Sequence, residues 1–123
     1  MNGAKEGPDQ AMRALMRRLQ DANPKIVYLA LILAETCMKN CPSFAAAINV
    51  TFMEEMVGLS RGNKGSKNAE ESLRLIQQWG RAFESKRAQL PIFFDTFVGL
   101  KARGIQFPPE EVGNQAAFEI SSS

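Results

Sequence analysis

The 123-residue chain contains no histidine, only two cysteines, and a single tryptophan and tyrosine. Without histidine, the usual general base and the Ser-His and Cys-His nucleophile arrangements are excluded. Cys37 and Cys41 lie four residues apart with no further cysteine to complete a zinc site, and we interpret them as small buried thiols in preference to a redox pair. The sequence therefore predicts a protein that is not an enzyme and holds no metal or cofactor.

The sequence also lacks an apolar run of transmembrane length and a large excess of charge of one sign. The first residues, MNGAKEGPDQ, lack the apolar core of a signal peptide, and no later segment has transmembrane length. The net charge is +2, and lysines and arginines are interspersed with acids, which gives no electrostatic reason to expect nucleic acid as a partner. We expect a cytoplasmic protein with no transmembrane segment.

The segment from Asn23 to Cys41 is the most informative part of the chain. Asn23 suits a helix N-cap, and Pro24 fits the first helical position, where its missing N–H costs nothing. From Ile26 to Ala34 the residues are apolar nearly all the way round a helix. Such a helix has no continuous polar face, so we expect other helices to bury it on several sides.

Other segments are also helical in pattern, and no strand-like alternation occurs. Gly7-Pro8-Asp9 precedes an amphipathic helix of about three turns, AMRALMRRLQ, whose arginines either are solvated or meet an acidic partner. Ser43 is a candidate cap for the short FAAAI stretch, and Asn49 is a candidate cap for the helix after it. Residues 60–68, with two glycines and two serines, are expected to form an exposed basic loop.

Two further helices follow that loop. Ser66 or Asn68 could cap a helix that runs to about Phe83, and Pro91 restarts a helix that ends in a Lys101, Arg103 and Gly104 signal. The pattern predicts an all-α fold of about six helices, arranged as a right-handed superhelix of helical hairpins. We expect one helical domain over residues 1–108 and an extended or disordered tail over 109–123.

Four motifs occur in a fixed order along the chain. They are AMRALMRRLQ, NPKIVYLALILAETCMKNC, LRLIQQWGRAF and FDTFVGLKARGIQFP. Together they resemble a VHS domain, a module of endosomal and Golgi sorting adaptors related to the ENTH and ANTH folds, over about Gly7 to Pro108. Set against the family's eight helices, the resemblance implies that the first helix and nearly all of the second are missing from this sequence. We therefore expect apolar surface to be exposed on the basic helix and the central helix.

The resemblance implies two kinds of partner. Some VHS domains bind ubiquitin through their second and fourth helices, and the matching part of this chain lies near Met38 and Asn40. Both residues have structural alternatives, because Met38 could pack in the core and Asn40 could satisfy the helix end. The family's ubiquitin-binding tryptophan has no counterpart here, since Trp79 belongs to the LIQQW motif and is expected in the core.

Other VHS domains bind acidic-cluster dileucine tails in a groove between the sixth and eighth helices. In this chain the groove would lie between residues 49–64 and 93–105, with Val57 on its wall, Lys64 as the loop charge and Lys101 or Arg103 as the closing charge. Two residues disfavour binding of an acidic dileucine tail. Glu54 adds a negative charge to the groove, and Asn49 occupies a position where a lysine would attract the acidic peptide.

The resemblance thus implies a non-catalytic adaptor domain in protein sorting, peripheral to endosomal or Golgi membranes, which binds ubiquitin, ubiquitinated cargo or sorting-signal peptides. Two alternatives stay open. A membrane-surface module could use the basic loop or the arginine face to meet anionic lipid such as phosphoinositide. A purely structural helical domain could instead dock another subunit.

Overall fold

The computed structural model describes residues 3–109, with side chains from Gly7 onward. Within that range all regular structure is helical and no strand occurs, which confirms the all-α class. The predicted tail, apart from Pro109, lies outside the described residues. The six α-helices are α1 (Gly3–Leu19), α2 (Pro24–Asn40), α3 (Pro42–Ala47), α4 (Val50–Ser60), α5 (Ser66–Ala82) and α6 (Pro91–Ala102), and a 3₁₀ helix, Glu84–Lys86, precedes α6.

The chain divides into two compact units, Met1–Leu73 and Arg74–Ser123. In the first unit, α1 contacts α2, α3 and α4, and these helices bury a common apolar core. Two polar side chains are buried in the described part of this unit, Asn68 and Ser72, and the Ser72 hydroxyl donates to the carbonyl of Met56. Buried apolar residues of the unit include Leu15, Leu19, Val27, Leu31, Phe44, Phe52, Met53, Met56 and Leu59.

The start of α2 is as the sequence predicts, but its burial is not. Asn23 Oδ1 accepts a hydrogen bond from the Lys25 N–H at 2.9 Å, and Pro24 occupies the first helical position. The prediction that α2 is buried on several sides is wrong for one face, where Leu29 is 64% exposed and Leu33 is 42% exposed. The exposed apolar surface that the resemblance implied for this central helix is confirmed there. Helix α2 contacts α1 and α3. We call Ile26, Leu29 and Leu33 the apolar stripe.

Helix starts differ in part from the expected ones. The first helix begins at Gly3 instead of after Pro8, and Pro8 is tolerated inside it at the loss of one backbone hydrogen bond. Helix α3 begins at Pro42, and no side chain caps it, so the predicted cap at Ser43 is wrong. The predicted cap at Asn49 is confirmed, because its Oδ1 accepts from the Phe52 N–H at 2.8 Å.

The basic loop is shorter than the sequence suggested. Helix α4 runs to Ser60 and α5 begins at Ser66, so residues 61–65 make the connection. Gly62 and Gly65 have φ of 93° and 96°, in the left-handed region that favours glycine. This pair of glycines allows the chain to reverse tightly between the two helices.

The core of the second unit is aromatic. Trp79 is 1% exposed, which confirms its predicted place in the core, and its ring meets that of Phe93 edge-on at 6.0 Å. Phe83 stacks on Phe93 at 4.7 Å. Gly80 lies so close to Phe97 that a Cβ on it would be 2.6 Å from the Phe97 Cβ. Helices α5 and α6 therefore pack closely through a glycine within this unit.

The end of α6 follows the predicted signal. Gly104 has φ of 86°, and its N–H donates to the Lys101 carbonyl at 3.0 Å. Across residues 3–109, no helix combines the length and the apolar character that crossing a bilayer would require.

Candidate partner-binding surfaces

The end of α2 carries the two residues implied for ubiquitin. Met38 is only 8% exposed and belongs to the core, which favours the packing alternative for this residue. Asn40, the last residue of the helix, is exposed. Beside it, Lys39 forms an ion pair with Glu35 at 3.4 Å. Of the two predicted residues, Asn40 is thus the one that offers its side chain to a partner.

The two cysteines lie at the same end of α2, free and half-buried, so they are less buried than the predicted small buried thiols. The pKa of the Cys41 thiol is lowered, first by a hydrogen bond with Ser43, whose Oγ lies 3.2 Å from the sulfur. Burial raises the pKa of Cys37, and the nearby Cys41 raises it further. Cys41 is therefore the more acidic thiol of the pair.

Helix α4 presents Val57, which is half-buried, as the predicted apolar wall residue. Asn49 is the N-cap of this helix and so has a structural role. A lysine at this position would have attracted an acidic peptide. Glu54 is exposed, so its charge is available to repel an acidic ligand. The Gln20 side chain donates to the neighbouring Glu55 at 2.9 Å.

Lys64 has a partner within the protein. Its side chain is half-buried, and Nζ donates to the backbone carbonyl of Asp21 at 2.8 Å. The bond joins the connection after α4 to the turn before α2. An ammonium group has three N–H donors, so two remain after this bond. Lys64 is in part a structural residue, which its place in a basic loop did not reveal.

Lys101 and Arg103 are both exposed at the end of α6. The Lys101 ammonium lies 5.2 Å from the centroid of the Phe97 ring, within cation–π range. Arg103 is the C-cap, and its backbone N–H donates to the carbonyls of Gly99 and Leu100. These two cations are free to meet solvent or a ligand.

The predicted site residues do not form one cluster in the first unit. Lys64 binds the turn just before α2, whereas Asn40 lies at the opposite end of that helix, roughly 25 Å away along its axis. Val57 and Lys64 belong to the first unit, and Lys101 and Arg103 belong to the second. The groove implied for dileucine tails therefore stays a prediction.

An open pocket of about 520 Å³ in the first unit was not anticipated from the sequence. It lies between the start of α2 and the start of α5, and no acidic residue lines it. Lys67 crosses its rim, with Nζ 4.6 Å from the centroid of the Tyr28 ring. The pocket is lined by Pro24, Lys25, Tyr28, Leu29, Lys64, Gly65, Ser66, Lys67 and Asn68.

Asn68 joins the two sides of this pocket. It is 2% exposed, and its Nδ2 donates to the carbonyl of Pro24 at 3.0 Å and to that of Lys64 at 2.9 Å. Both N–H donors of the amide are thereby used, which fixes the orientation of the side chain. The buried Oδ1 has no hydrogen-bond partner within the described part of the chain.

The sequence allowed each of the two segments that form the pocket to be predicted, but not the contact between them. Asn23 and Pro24 mark the start of a helix, and the glycines and lysines before Asn68 mark a basic loop. The contact between Asn68 and Pro24 spans 44 residues. No periodic pattern or local motif reports a contact of that range.

The described residues define an all-α domain with exposed basic and apolar side chains. No group of three or more acidic, cysteine or histidine side chains in residues 3–109 is placed to hold a metal ion. Comparison with known proteins gives the family: the VHS domain model matches residues 1–104. The chain belongs to the VHS domain family, as its motifs suggested.

Several curated proteins are similar to the chain. TOM1-like protein 1 of Arabidopsis thaliana is 39% identical over 101 residues, covering 80% of this chain and 25% of the relative. TOM1-like protein 2 of Mus musculus is 35% identical, covering 88% of this chain and 22% of the relative. Vacuolar protein sorting-associated protein 27 of Mycosarcoma maydis is 34% identical, covering 86% of this chain and 12% of the relative.

The chain thus spans a quarter or less of the length of each of these relatives. No solved structure matches it.

Proposed function

We propose that this chain is a non-catalytic adaptor domain in protein sorting that binds ubiquitin or cargo sorting signals at endosomal or Golgi membranes. Membership of the VHS domain family is the observation that carries the proposal. The printed name of one relative, vacuolar protein sorting-associated protein 27, supports a sorting role. The exposed basic and apolar side chains of the domain suit shallow contacts of modest affinity, which gain strength when several are linked.

For ubiquitin, the proposed contact is the end of α2 around Asn40. Its exposed amide can both donate and accept hydrogen bonds. Met38 would act indirectly, since its buried side chain holds this end of the helix against the core. For an acidic sorting signal, Lys101 and Arg103 supply exposed positive charge, and Val57 supplies a half-buried apolar contact.

A titration of the ¹⁵N-labelled chain, first with ubiquitin and then with an acidic dileucine peptide, tests the proposal. Shifts centred on Asn40 with ubiquitin would support the first contact, and Asn40→Arg should abolish them. Shifts centred on Lys101 and Val57 with the peptide would support the second, and Lys101→Gln should weaken them. If neither ligand changes the spectrum of the folded chain, cargo recognition by this domain is wrong.

A second candidate is a membrane-surface module that binds phosphoinositide. The exposed side chains of Lys25 and Lys67 favour it, because no acidic residue lines the pocket with them, and Arg61 is a further exposed cation of the same unit. Sedimentation with liposomes that contain or lack phosphoinositide tests this candidate. Equal sedimentation with both kinds of liposome would remove it.

A structural helical domain is the third candidate. The apolar stripe favours it, since exposed aliphatic side chains in a row are a common feature of docking surfaces. Sedimentation velocity over a range of concentrations tests for self-association. A Leu29→Ser variant that stays monomeric where the unaltered chain associates would place the contact on the stripe.

A further inference from the structure

Three features of the pocket at the start of α5 indicate a ligand, and each is complementary to a different chemical group. The first is positive potential. Helix α5 begins at Ser66, and its first backbone hydrogen bond runs from the N–H of Ala69 to the carbonyl of Gly65 at 3.1 Å. The N–H groups of Ser66, Lys67 and Asn68 therefore have no acceptor within the helix.

These donors lie at the positive end of a 17-residue helix, which favours a negative group. Lys25 and Lys67 add two exposed ammonium groups, and the lining residues include no acid to neutralise them. Lys64 contributes the N–H donors that Asp21 leaves unused. The charge around the pocket is complementary to a carboxylate or a phosphate.

The second feature is the unpaired acceptor of Asn68. A buried carbonyl oxygen without a hydrogen bond is costly, and its own amide donors are already held by Pro24 and Lys64. A ligand that places a donor on Oδ1 would remove this cost. Oδ1 has almost no accessible surface, so a donor would reach it only after the wall of the pocket opens, and the exposed side chain of the neighbouring Lys67 is the group that would have to move. A bare anion cannot satisfy this atom, because it brings no N–H or O–H.

The third feature is the apolar wall. Pro24, Tyr28 and Leu29 line one side of the pocket, and Leu29 is 64% exposed in the absence of a ligand. An aliphatic side chain placed there would remove apolar surface from water on both partners. The wall does not suit the hydroxylated ring of an inositol phosphate.

We propose that this pocket binds the free carboxyl terminus of a peptide whose last residue is aliphatic. The terminal residue carries all three required groups within a few bonds of one another. Its carboxylate would accept from the first N–H groups of α5 and from Lys67, its amide N–H would donate to Asn68 Oδ1, and its side chain would cover Leu29. Backbone capture of a carboxyl terminus is an established mode of peptide recognition.

The site shares only Lys64, the loop charge of the implied dileucine groove, with the contacts considered for ubiquitin and acidic tails. Asn40 lies at the far end of α2, and Val57, Lys101 and Arg103 are absent from the lining of the pocket. Either proposal can fail without the other.

The test uses the full 123-residue chain, ¹⁵N-labelled, and the peptide acetyl-Gly-Ser-Gly-Ser-Ala-Leu with a free carboxyl terminus. The expected shifts centre on the backbone amides of Ser66, Lys67 and Asn68 and on the Asn68 side-chain amide. The C-terminally amidated peptide should bind at least about tenfold more weakly, since it lacks the charge. A peptide with an ester in place of the last amide N–H should lose about tenfold, because Asn68 Oδ1 then stays unpaired.

Two variants locate the binding site. Lys67→Gln and Leu29→Ala should each weaken the acid peptide by about three- to tenfold, because each removes one contact from an exposed side chain. Lys86→Gln removes the same charge from the exposed 3₁₀ helix and should leave the affinity unchanged. Circular dichroism of each variant confirms that the helices persist.

Four outcomes would overturn the proposal. The acid and amide peptides could bind equally, or Lys67→Gln could bind as well as the unaltered chain. Inorganic phosphate could shift the same amides as strongly as the peptide, which would indicate a general anion site. Phosphoinositide vesicles could shift these amides while the peptide does not, which would assign the pocket to lipid.

Discussion

The ammonium of Lys64 donates a hydrogen bond to the backbone carbonyl of Asp21 at 2.8 Å, so the connection after α4 is fastened to the turn before α2. The bond links a charged donor to a half-buried acceptor, which is stronger than a neutral pair. We expect Lys64→Met to lower the free energy of unfolding by about 1–2 kcal/mol. Urea denaturation followed by circular dichroism measures this change.

Arg61→Met provides the matched control for Lys64. It removes a positive charge from the same connection, but its side chain is exposed. We expect a change within about 0.5 kcal/mol for this surface substitution. Equal losses of stability in the two variants would contradict a structural role for the Lys64 bond and would leave only the general effect of charge.

Gly80 and Gly99 offer a second matched pair within one unit. Gly80→Ala would place a Cβ 2.6 Å from the Phe97 Cβ, so α5 or α6 must shift, and we expect a loss of about 1–3 kcal/mol. Gly99→Ala meets no atom within 4 Å in the exposed part of α6, and we expect a gain of about 0.5–1 kcal/mol from helix propensity. Thermal denaturation distinguishes the expected loss of stability in Gly80→Ala from the expected gain in Gly99→Ala. A stabilised Gly80→Ala variant would contradict the close packing described here.

The N-cap of α4 can be tested in the same way. Removal of Asn49 Oδ1 leaves the Phe52 N–H without its acceptor, and Asn49→Ala should destabilise the chain by about 1 kcal/mol. Asn40→Ala alters an exposed asparagine at the end of a helix and should change stability by less than about 0.5 kcal/mol. Equal effects in chemical denaturation would mean that the cap bond contributes nothing specific.

The two thiols should differ in reactivity with pH. Because the pKa of Cys41 is lowered and that of Cys37 is raised, a larger fraction of Cys41 is thiolate at any pH below both values. Iodoacetamide labelling, followed by mass spectrometry of peptides, should modify Cys41 first, with an onset at lower pH than for Cys37.

Ser43→Ala should move the labelling curve of Cys41 to higher pH, since the hydrogen bond with Ser43 is the largest cause of its lowered pKa. The curve of Cys37 should stay in place, because burial dominates its shift. If Cys41 labels no earlier than Cys37 in the unaltered chain, the assigned order of acidity is wrong.

Much of the fold could be predicted because its signals are local. Asn23 and Asn49 lie directly before apolar runs, and Gly104 follows a basic last turn, so a few neighbouring residues determine each helix end. Pro8 and Ser43 misled the prediction for the same reason. A local rule could not report that α1 extends back to Gly3, or that Pro42 alone starts α3.

The surfaces were harder to predict than the helices. Whether Leu29 is covered depends on how far α1 and α3 reach around α2, and the composition of α2 does not contain that information. The position of Lys64 within a basic loop gave no sign that it binds a distant backbone carbonyl. The motif left open whether Met38 packs in the core or meets a partner, and the tertiary packing buries it.

The hydrogen bond between Asn68 and Pro24 also bears on the order of folding. It closes a segment of 44 residues that contains α2, α3 and α4, whereas the α1–α2 contacts join neighbours along the chain. Long closures cost more entropy than short ones, and they form after local contacts have shortened the effective loop. We therefore expect the pocket to assemble late in folding. Its amides should be among the first of the unit to exchange with solvent deuterium when the chain opens.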